Sequence, residues 1–124
     1  MAILIHNDNV THIKDGNFPN SILVKTMFQG ILMEILGTDG RDGHKWETND
    51  KMLLKTFWED LRFRFEQHEM EIADNIQVYF PDGKIGEVIF TVNGVYVDGN
   101  YKLRHGDMII CRLKNEPKRK KLKD

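Results

Sequence analysis

The residue types that most often carry chemistry are few and scattered in this chain. Its one cysteine, Cys111, lies in the apolar run Ile109-Ile110-Cys111-Arg112-Leu113. The five histidines are spread along the sequence: His6, His12, His44, His68 and His105. Zinc sites use paired cysteine or histidine ligands at short spacing, and this pattern is missing here. Cys111 is expected to be a buried, unreactive thiol, because a nucleophile would need a neighbouring base.

Several aspartates stand beside glycine and could be considered as ion ligands, among them Asp15, Asp39, Asp42 and Asp82. Their spacing does not fit the alternating acidic positions of a calcium loop, so turns are the expected structure. The chain also lacks the glycine-rich phosphate loop, the dinucleotide fingerprint and the nucleophile elbow. The sequence therefore predicts a protein without catalytic residues, metal or cofactor.

Aromatic and basic residues offer candidate contact sites instead. Phe63 lies between Arg62 and Arg64, outside the main apolar stripe of a predicted helix. Such a cluster suits a partner-binding spot, since arginine and aromatic residues dominate interfaces, although packing under the N-terminal residues explains it equally well. Tyr96 and Tyr101, with Arg104, fall on predicted strands and hairpins and complete the candidate partner-binding set. A sheet face bearing aromatic residues also suits the stacking of nucleic-acid bases.

The charge of the chain is unevenly distributed. Residues 114–124 hold six basic and two acidic side chains, a net charge of +4, and the whole chain carries −1, so residues 1–113 carry −5. The tail is read as a solvated chain end, or as an electrostatic arm for nucleic acid or an acidic protein. The candidate arm comprises Lys118, Arg119, Lys120 and Lys121.

Length and composition indicate one ordinary globular domain. The chain has 124 residues, of which 40% are hydrophobic and 30% charged. No apolar run is long enough for a transmembrane helix, and the first residues do not resemble a secretory signal. A single cysteine cannot form an internal disulfide, which favours a reducing, cytoplasmic location.

One long helix is the most distinct predicted element. Leu54, Trp58, Leu61 and Phe65 recur at helical spacing, which predicts an amphipathic helix over residues 50–67. Its expected N-cap is Thr48 or Asn49.

Strands are predicted on both sides of this helix. Before it, they cover residues 2–6, 21–29 and the stretch starting at His44, whereas residues 31–36 fit either a strand or a short helix. After it, they cover residues 76–80, 87–92, 95–97 and 108–113, separated by Pro-Asp-Gly, Asn-Gly and Asp-Gly turns. This order predicts an α+β domain with the helix packed on one face of a sheet.

Several ordered segments resemble a known family. Residues 24–39, the helix and the segment ending in Asn93-Gly94 resemble the small subunit of molybdopterin synthase. So does the closing run Leu103-Arg104-His105-Gly106-Asp107-Met108-Ile109, which is also similar to the thiamine-biosynthesis sulfur carrier and to TGS domains. The resemblance implies a ubiquitin-like β-grasp fold over residues 21–113, with one main helix on one face of a mixed sheet. It also implies a short helix at residues 31–36.

The chain departs from this family where the family's chemistry lies. Sulfur carriers need a C-terminal Gly-Gly, which this sequence lacks throughout. The expected function is therefore a non-catalytic protein-binding module (a subunit, adaptor or inhibitor) that docks a sheet face on a partner. The alternatives are a nucleic-acid or ribonucleoprotein accessory that uses the basic tail of residues 114–124, and a component of a larger enzyme complex. Residues 1–20 form an extension that adds an edge strand, or exchanges with a second copy to make a dimer.

Overall fold

The computed structural model describes residues 3–5, 21–36 and 44–118. The strands within these ranges are β1 (Ile3–Ile5), β2 (Ser21–Phe28), β3 (His44–Asn49), β4 (Val88–Val92), β5 (Val95–Val97) and β6 (Met108–Leu113). The helices are α1 (Ile31–Leu36), α2 (Leu54–Gln67) and α3 (Met70–Tyr79). The protein is therefore α+β, as predicted. None of these helices has the length and apolar character that crossing a membrane requires.

The strands form one mixed sheet in the order β1-β3-β2-β6-β4-β5. The two central strands, β2 and β6, run parallel, and the other pairs are antiparallel. A parallel pair needs a long crossover connection, and here the helices between β2 and β6 belong to that connection. The first strand of the sequence, β1, lies at one edge beside β3, and β5 forms the other edge.

Alternation along the central strands separates a core face from an open face. In β2 the side chains of Ile22, Val24, Thr26 and Phe28 are buried, whereas those between them are half-buried. In β6 the buried positions are Ile109, Cys111 and Leu113. Ring contacts of Phe65 with Phe28 and Trp46 show that α2 packs on this core face. The opposite face of the sheet carries no helix among the described residues.

Helix α2 begins later than the sequence predicts. Thr48 and Asn49 belong to β3, where they pair with β2, so neither is the N-cap. The N-cap is Leu53, which makes no side-chain cap hydrogen bond. The amides of Leu54 and Lys55 instead donate to the carbonyl oxygens of Tyr101 and Gly99, at 2.8 and 2.9 Å. A distant loop thus satisfies amide groups that a capping side chain ordinarily satisfies.

The predicted strand at residues 76–80 is wrong, because this segment lies in helix α3 or directly follows it. Ile72, Ile76 and Tyr79 recur at helical spacing, and the last two are buried. The Tyr79 hydroxyl donates to Glu34 Oε2 at 3.0 Å, which ties α3 to α1. The domain therefore has a second sizeable helix in addition to the predicted one. Residues 31–36 form the short helix implied by the family resemblance.

The predicted Asn-Gly hairpin is confirmed between β4 and β5. Asn93 and Gly94 both have positive φ angles, 53° and 86°, which suit a two-residue turn that joins twisted strands. The Asn93 side chain also donates to Asp107 Oδ1 and accepts from the Met108 amide, at 2.9 and 3.0 Å. Predicted loop and turn residues 7–20 and 38–43 lie outside the described residues.

Candidate functional site

The open face of the sheet presents a shallow apolar groove where β4, β5 and β6 meet. Tyr96 lies opposite Thr91, and Thr91 lies opposite Ile110, so these side chains form a row across three strands. Ile89 lies opposite Arg112 in the neighbouring row. The groove has a volume of about 320 Å³, and we call it the open-face groove; its lining is Gln29, Ile89, Thr91, Gly94, Tyr96, Ile110 and Arg112.

Tyr96 and Arg112 form the polar wall of the open-face groove. Arg112 Nη2 donates to the Tyr96 hydroxyl oxygen at 3.0 Å, and the guanidinium carbon lies 5.9 Å from the centroid of the tyrosine ring. Tyr96 is 65% exposed, and Val95 beside it is 64% exposed. A guanidinium has five N–H donors, so most remain available to a ligand after this contact. The pair therefore offers a large aromatic surface and a fixed cation at the same place.

The candidate residues on helix α2 lie in the helical layer, away from the open face. Phe63 is 57% exposed and contacts the ring of His68, with the ring centroids 5.3 Å apart. Arg62 Nη2 donates to Glu59 Oε2 at 2.6 Å, and Arg64 lies 5.7 Å from the centroid of the Trp46 ring. Both arginines thus have partners within the fold. The structure does not bring this cluster together with Tyr96.

Tyr101 and Arg104 instead surround a buried carboxylate, Asp107. The Tyr101 hydroxyl and the Arg104 amide both donate to Asp107 Oδ2, at 3.0 and 2.8 Å. Asn93 donates to the other carboxylate oxygen. Burial and the Asp107 contact raise the pKa of Tyr101 above its ordinary value. Asp107, in the Gly-Asp turn before β6, thus links the Asn93–Gly94 turn by hydrogen bonds to the loop that contains Tyr101 and Arg104. The Arg104 side chain is exposed beside it.

Cys111 is buried in the core face of β6 as expected. Burial in apolar surroundings raises the pKa of the Cys111 thiol well above its ordinary value, so the reactive thiolate is strongly disfavoured. Among the described residues, no group of three or more histidine, cysteine, aspartate or glutamate side chains is placed to hold a metal ion. The described lining of the open-face groove includes no aspartate, glutamate, histidine or cysteine.

The C-terminal segment leaves the sheet near α1. Both carboxylate oxygens of Glu116 accept from the Ile31 amide, at 3.3 Å each, which places residue 116 at the start of that helix. Lys114 Nζ lies 3.7 Å from Glu87 Oε2, and Lys118 is exposed. Arg119, Lys120 and Lys121 lie outside the described residues.

Sequence reasoning identified Tyr96 but missed the rest of the open-face groove. Ile110 and Arg112 alternate with the buried residues of β6, so the strand pattern alone indicates that they lie on the open face. The position of Ile89 and Thr91 depends on the pairing of β4 with β6, two strands that are separated in the sequence by β5 and the loop after it. Only the fold shows that these four residues are neighbours of Tyr96.

No family model and no curated protein matches this chain. Among solved structures, the solution structure of the Haloferax volcanii HVO 2177 protein is similar, with a TM-score of 0.50 and 17% sequence identity. The similarity covers 75% of this chain and 83% of that chain. At this identity the likeness concerns the fold alone.

Proposed function

We propose that the protein is a ubiquitin-like β-grasp module that binds a partner protein through the open-face groove and has no catalytic role. The strand order supports the β-grasp assignment. The first and last strands of the unit over residues 21–113, β2 and β6, lie side by side and parallel at its centre. Each has an antiparallel neighbour on its outer side, β3 and β4 respectively. Among the described residues, the helices pack on one face of the sheet and none covers the other face.

The observation that carries the proposal is the Tyr96–Arg112 pair beside the half-buried side chains of Ile89 and Ile110. Tyrosine and arginine are enriched among the residues that dominate binding energy, especially where they border a pocket that becomes desolvated. Ile89, Thr91 and Ile110 are half-buried and supply the floor of that pocket.

The chemistry of the open-face groove defines the partner segment. An apolar side chain fits the floor formed by Ile89 and Ile110, and a carboxylate fits the remaining donors of Arg112. A planar guanidinium binds a carboxylate with two parallel hydrogen bonds, which gives orientation as well as affinity. We therefore expect a partner segment in which an apolar residue and an acidic residue lie close together.

Differential capture from native lysate tests this proposal. The bait is the tagged full chain, with and without nuclease, and the variants are Ile110→Asp and Thr56→Asp. Ile110 lies in the open-face groove, whereas Thr56 is exposed on α2. The proposal predicts one nuclease-resistant partner that the wild type and Thr56→Asp retain and Ile110→Asp loses. It is contradicted if the partner binds the folded Ile110→Asp variant as well as the wild type.

A further inference from the structure

The turn between β4 and β5 contains a reactive pair of residues, Asn93 and Gly94. In an Asn-Gly sequence the glycine amide nitrogen can attack the asparagine side chain, because the glycine has no Cβ to obstruct the approach. Asn93 is the one asparagine of the sequence that glycine follows. It is also exposed, so water reaches it. Asn93 is therefore the residue of this chain whose side-chain amide is chemically most prone to loss.

Deamidation of Asn93 would consume water and release ammonia, with no oxidation or reduction. The Gly94 nitrogen gives its proton to a base in the solvent and attacks Asn93 Cγ. The new N–Cγ bond closes a succinimide ring, and the Cγ–Nδ2 bond breaks as ammonia leaves with a proton from the solvent. Water then opens the ring: cleavage of the N–Cγ bond yields aspartate, whereas cleavage at the main-chain carbonyl carbon yields isoaspartate, whose backbone runs through the side chain.

Two hydrogen bonds fix the Asn93 side chain in the folded protein. Its Nδ2 donates to Asp107 Oδ1 at 2.9 Å, and its Oδ1 accepts from the Met108 amide at 3.0 Å. Both ends of the planar carboxamide therefore have a partner at the start of β6. Closing the succinimide ring makes Cγ tetrahedral and expels Nδ2, so the reaction loses the arrangement that these two bonds favour.

The backbone of the turn also opposes ring closure. The φ angles of Asn93 and Gly94, 53° and 86°, match a type I′ turn, in which ψ of the first residue is about +30°. At that ψ the Gly94 nitrogen lies on the side of the Asn93 main-chain nitrogen, whereas the ring needs it on the side of Cβ. The Asn93 amide donates to the Met108 carbonyl oxygen at 2.9 Å and holds the turn against β6. The ring can therefore form only after the turn has opened.

The charge beside Asn93 acts in the same direction. Asp107 is buried, and the Tyr101 hydroxyl and the Arg104 amide donate to its second carboxylate oxygen at 3.0 and 2.8 Å, so the carboxylate is held in place. The attacking nitrogen and the intermediate that it forms are anionic, and a fixed negative charge disfavours both. The Met108 amide would stabilise the intermediate, but a neutral donor counts for less than a full charge. Asp107 therefore protects Asn93 by its position and by its charge.

We propose that Asn93 is a latent deamidation site, kept unreactive by the type I′ turn and the Asp107 contact and converted to aspartate or isoaspartate when that contact opens. Gly94 lines the open-face groove, so both products alter the groove. Isoaspartate lengthens the backbone of a two-residue turn, and aspartate places a second carboxylate beside Asp107. The reaction needs no partner protein and is independent of the proposed function.

Peptide mapping by mass spectrometry tests the proposal on the full chain after incubation at mildly alkaline pH. Replacement of –NH₂ by –OH makes the peptide that contains residue 93 heavier, which measures the extent of reaction. We expect Asn93 to react at least about 10-fold more slowly in the native chain than in guanidinium chloride, since one hydrogen bond to a charged group contributes a factor of that order. Asn100, which Tyr101 follows, should react slowly in both states and serves as the internal reference.

Two variants separate the role of Asp107 from overall stability. Asp107→Asn removes the charge that faces Asn93 and should raise the rate in the folded protein about 5- to 10-fold. Tyr101→Phe removes a different bond to the same carboxylate and should react at close to the wild-type rate. If Asp107→Asn does not fold, Asp107→Glu, which displaces the carboxylate, takes its place with an increase in rate expected. Equal rates in the native and denatured wild type, no increase in the folded Asp107 variant, or the same increase in Tyr101→Phe would overturn the proposal.

Discussion

Arg112 of β6 and Tyr96 of β5 are joined by two contacts on the open face of the sheet. The guanidinium donates to the tyrosine hydroxyl at 3.0 Å and lies over the ring, 5.9 Å from its centroid. Strand β4 lies between β5 and β6, so the pair spans the width of three strands. This arrangement limits the rotamers of two large exposed side chains before a partner arrives, which reduces the entropy cost of binding.

Replacing Arg112 should impair partner binding more than stability. We expect Arg112→Ala to weaken the captured complex at least about 10-fold, because arginine is a common hot-spot residue. The free energy of unfolding should change by less than about 1 kcal/mol, since the contacts are at the surface. Titration calorimetry and denaturant unfolding measure the two effects.

Two matched variants refine this test. Arg112→Lys keeps the charge but not the planar fork, so it should restore only part of the affinity. Lys114→Ala removes a nearby exposed cation and should bind normally. Equal affinities of Arg112→Ala and the wild type would show that the pair has no role in binding.

Tyr101 should contribute to stability through its hydrogen bond to Asp107. Tyr101→Phe removes that donor from a buried carboxylate and should lower the free energy of unfolding by about 1 kcal/mol. Tyr96→Phe, at an exposed position, serves as the control and should change it by less. A stability of Tyr101→Phe equal to that of the wild type would show that Asp107 does not need this donor.

The same contact predicts a pH dependence. The pKa of Tyr101 is raised in the folded protein, so folding favours the protonated phenol. The stabilisation that Tyr101 gives the fold is therefore complete below the pKa of about 10 in the unfolded chain. It is lost as the pH rises through the pKa of Tyr101 in the folded protein. The stability difference between the wild type and Tyr101→Phe should shrink in this alkaline range, as followed by urea unfolding. A difference that grows with pH would contradict the assignment.

Helix α3 can be tested at its buried position. Ile76 is 0% exposed, so Ile76→Ala should lower the free energy of unfolding by about 2–5 kcal/mol. Gln77→Ala changes the exposed neighbour and should have an effect within about 0.5 kcal/mol. If this segment were the alternating strand suggested by its sequence, residues 76 and 78 would share a buried face. Val78→Ala would then be as damaging as Ile76→Ala.

A side chain at Gly94, in the Asn93–Gly94 turn, should lower the free energy of unfolding through backbone strain alone. A Cβ added at Gly94 would meet no atom within 4 Å, yet its φ of +86° is unfavourable for an L-residue. Gly94→Ala should therefore destabilise the protein by about 1–2 kcal/mol. Val95→Ala, at the exposed neighbouring position, should be nearly neutral. A neutral effect of Gly94→Ala in thermal unfolding would contradict the turn geometry.

The sequence predicted elements well where local pattern and local structure coincide. The Leu54 to Phe65 stripe marks most of helix α2, and the Asn93–Gly94 hairpin is recognisable because its turn chemistry lies within two residues. The start of α2 could not be predicted, since its first amides bond to the carbonyls of Gly99 and Tyr101, far along the chain. The segment around Ile76 was wrongly predicted as a strand, because β-branched residues in a short apolar run fit the period of a strand as well as that of a helix.

The open-face groove could be predicted less well than the helices and strands, because its residues become neighbours only in the folded sheet. Tyr96 was identified from its residue type, but Arg112 became its partner only through the pairing of β4 with both neighbours.

Hydroxyl-radical footprinting of the captured complex tests the central claim most directly. Tyr96 and Phe63 are similarly exposed in the free protein, at 65% and 57%, and lie on the open face and in the helical layer respectively. Docking through the open-face groove predicts that the partner protects Tyr96 from oxidation and leaves Phe63 labelled as in the free chain. Protection of Phe63 with unchanged labelling of Tyr96 would contradict the account.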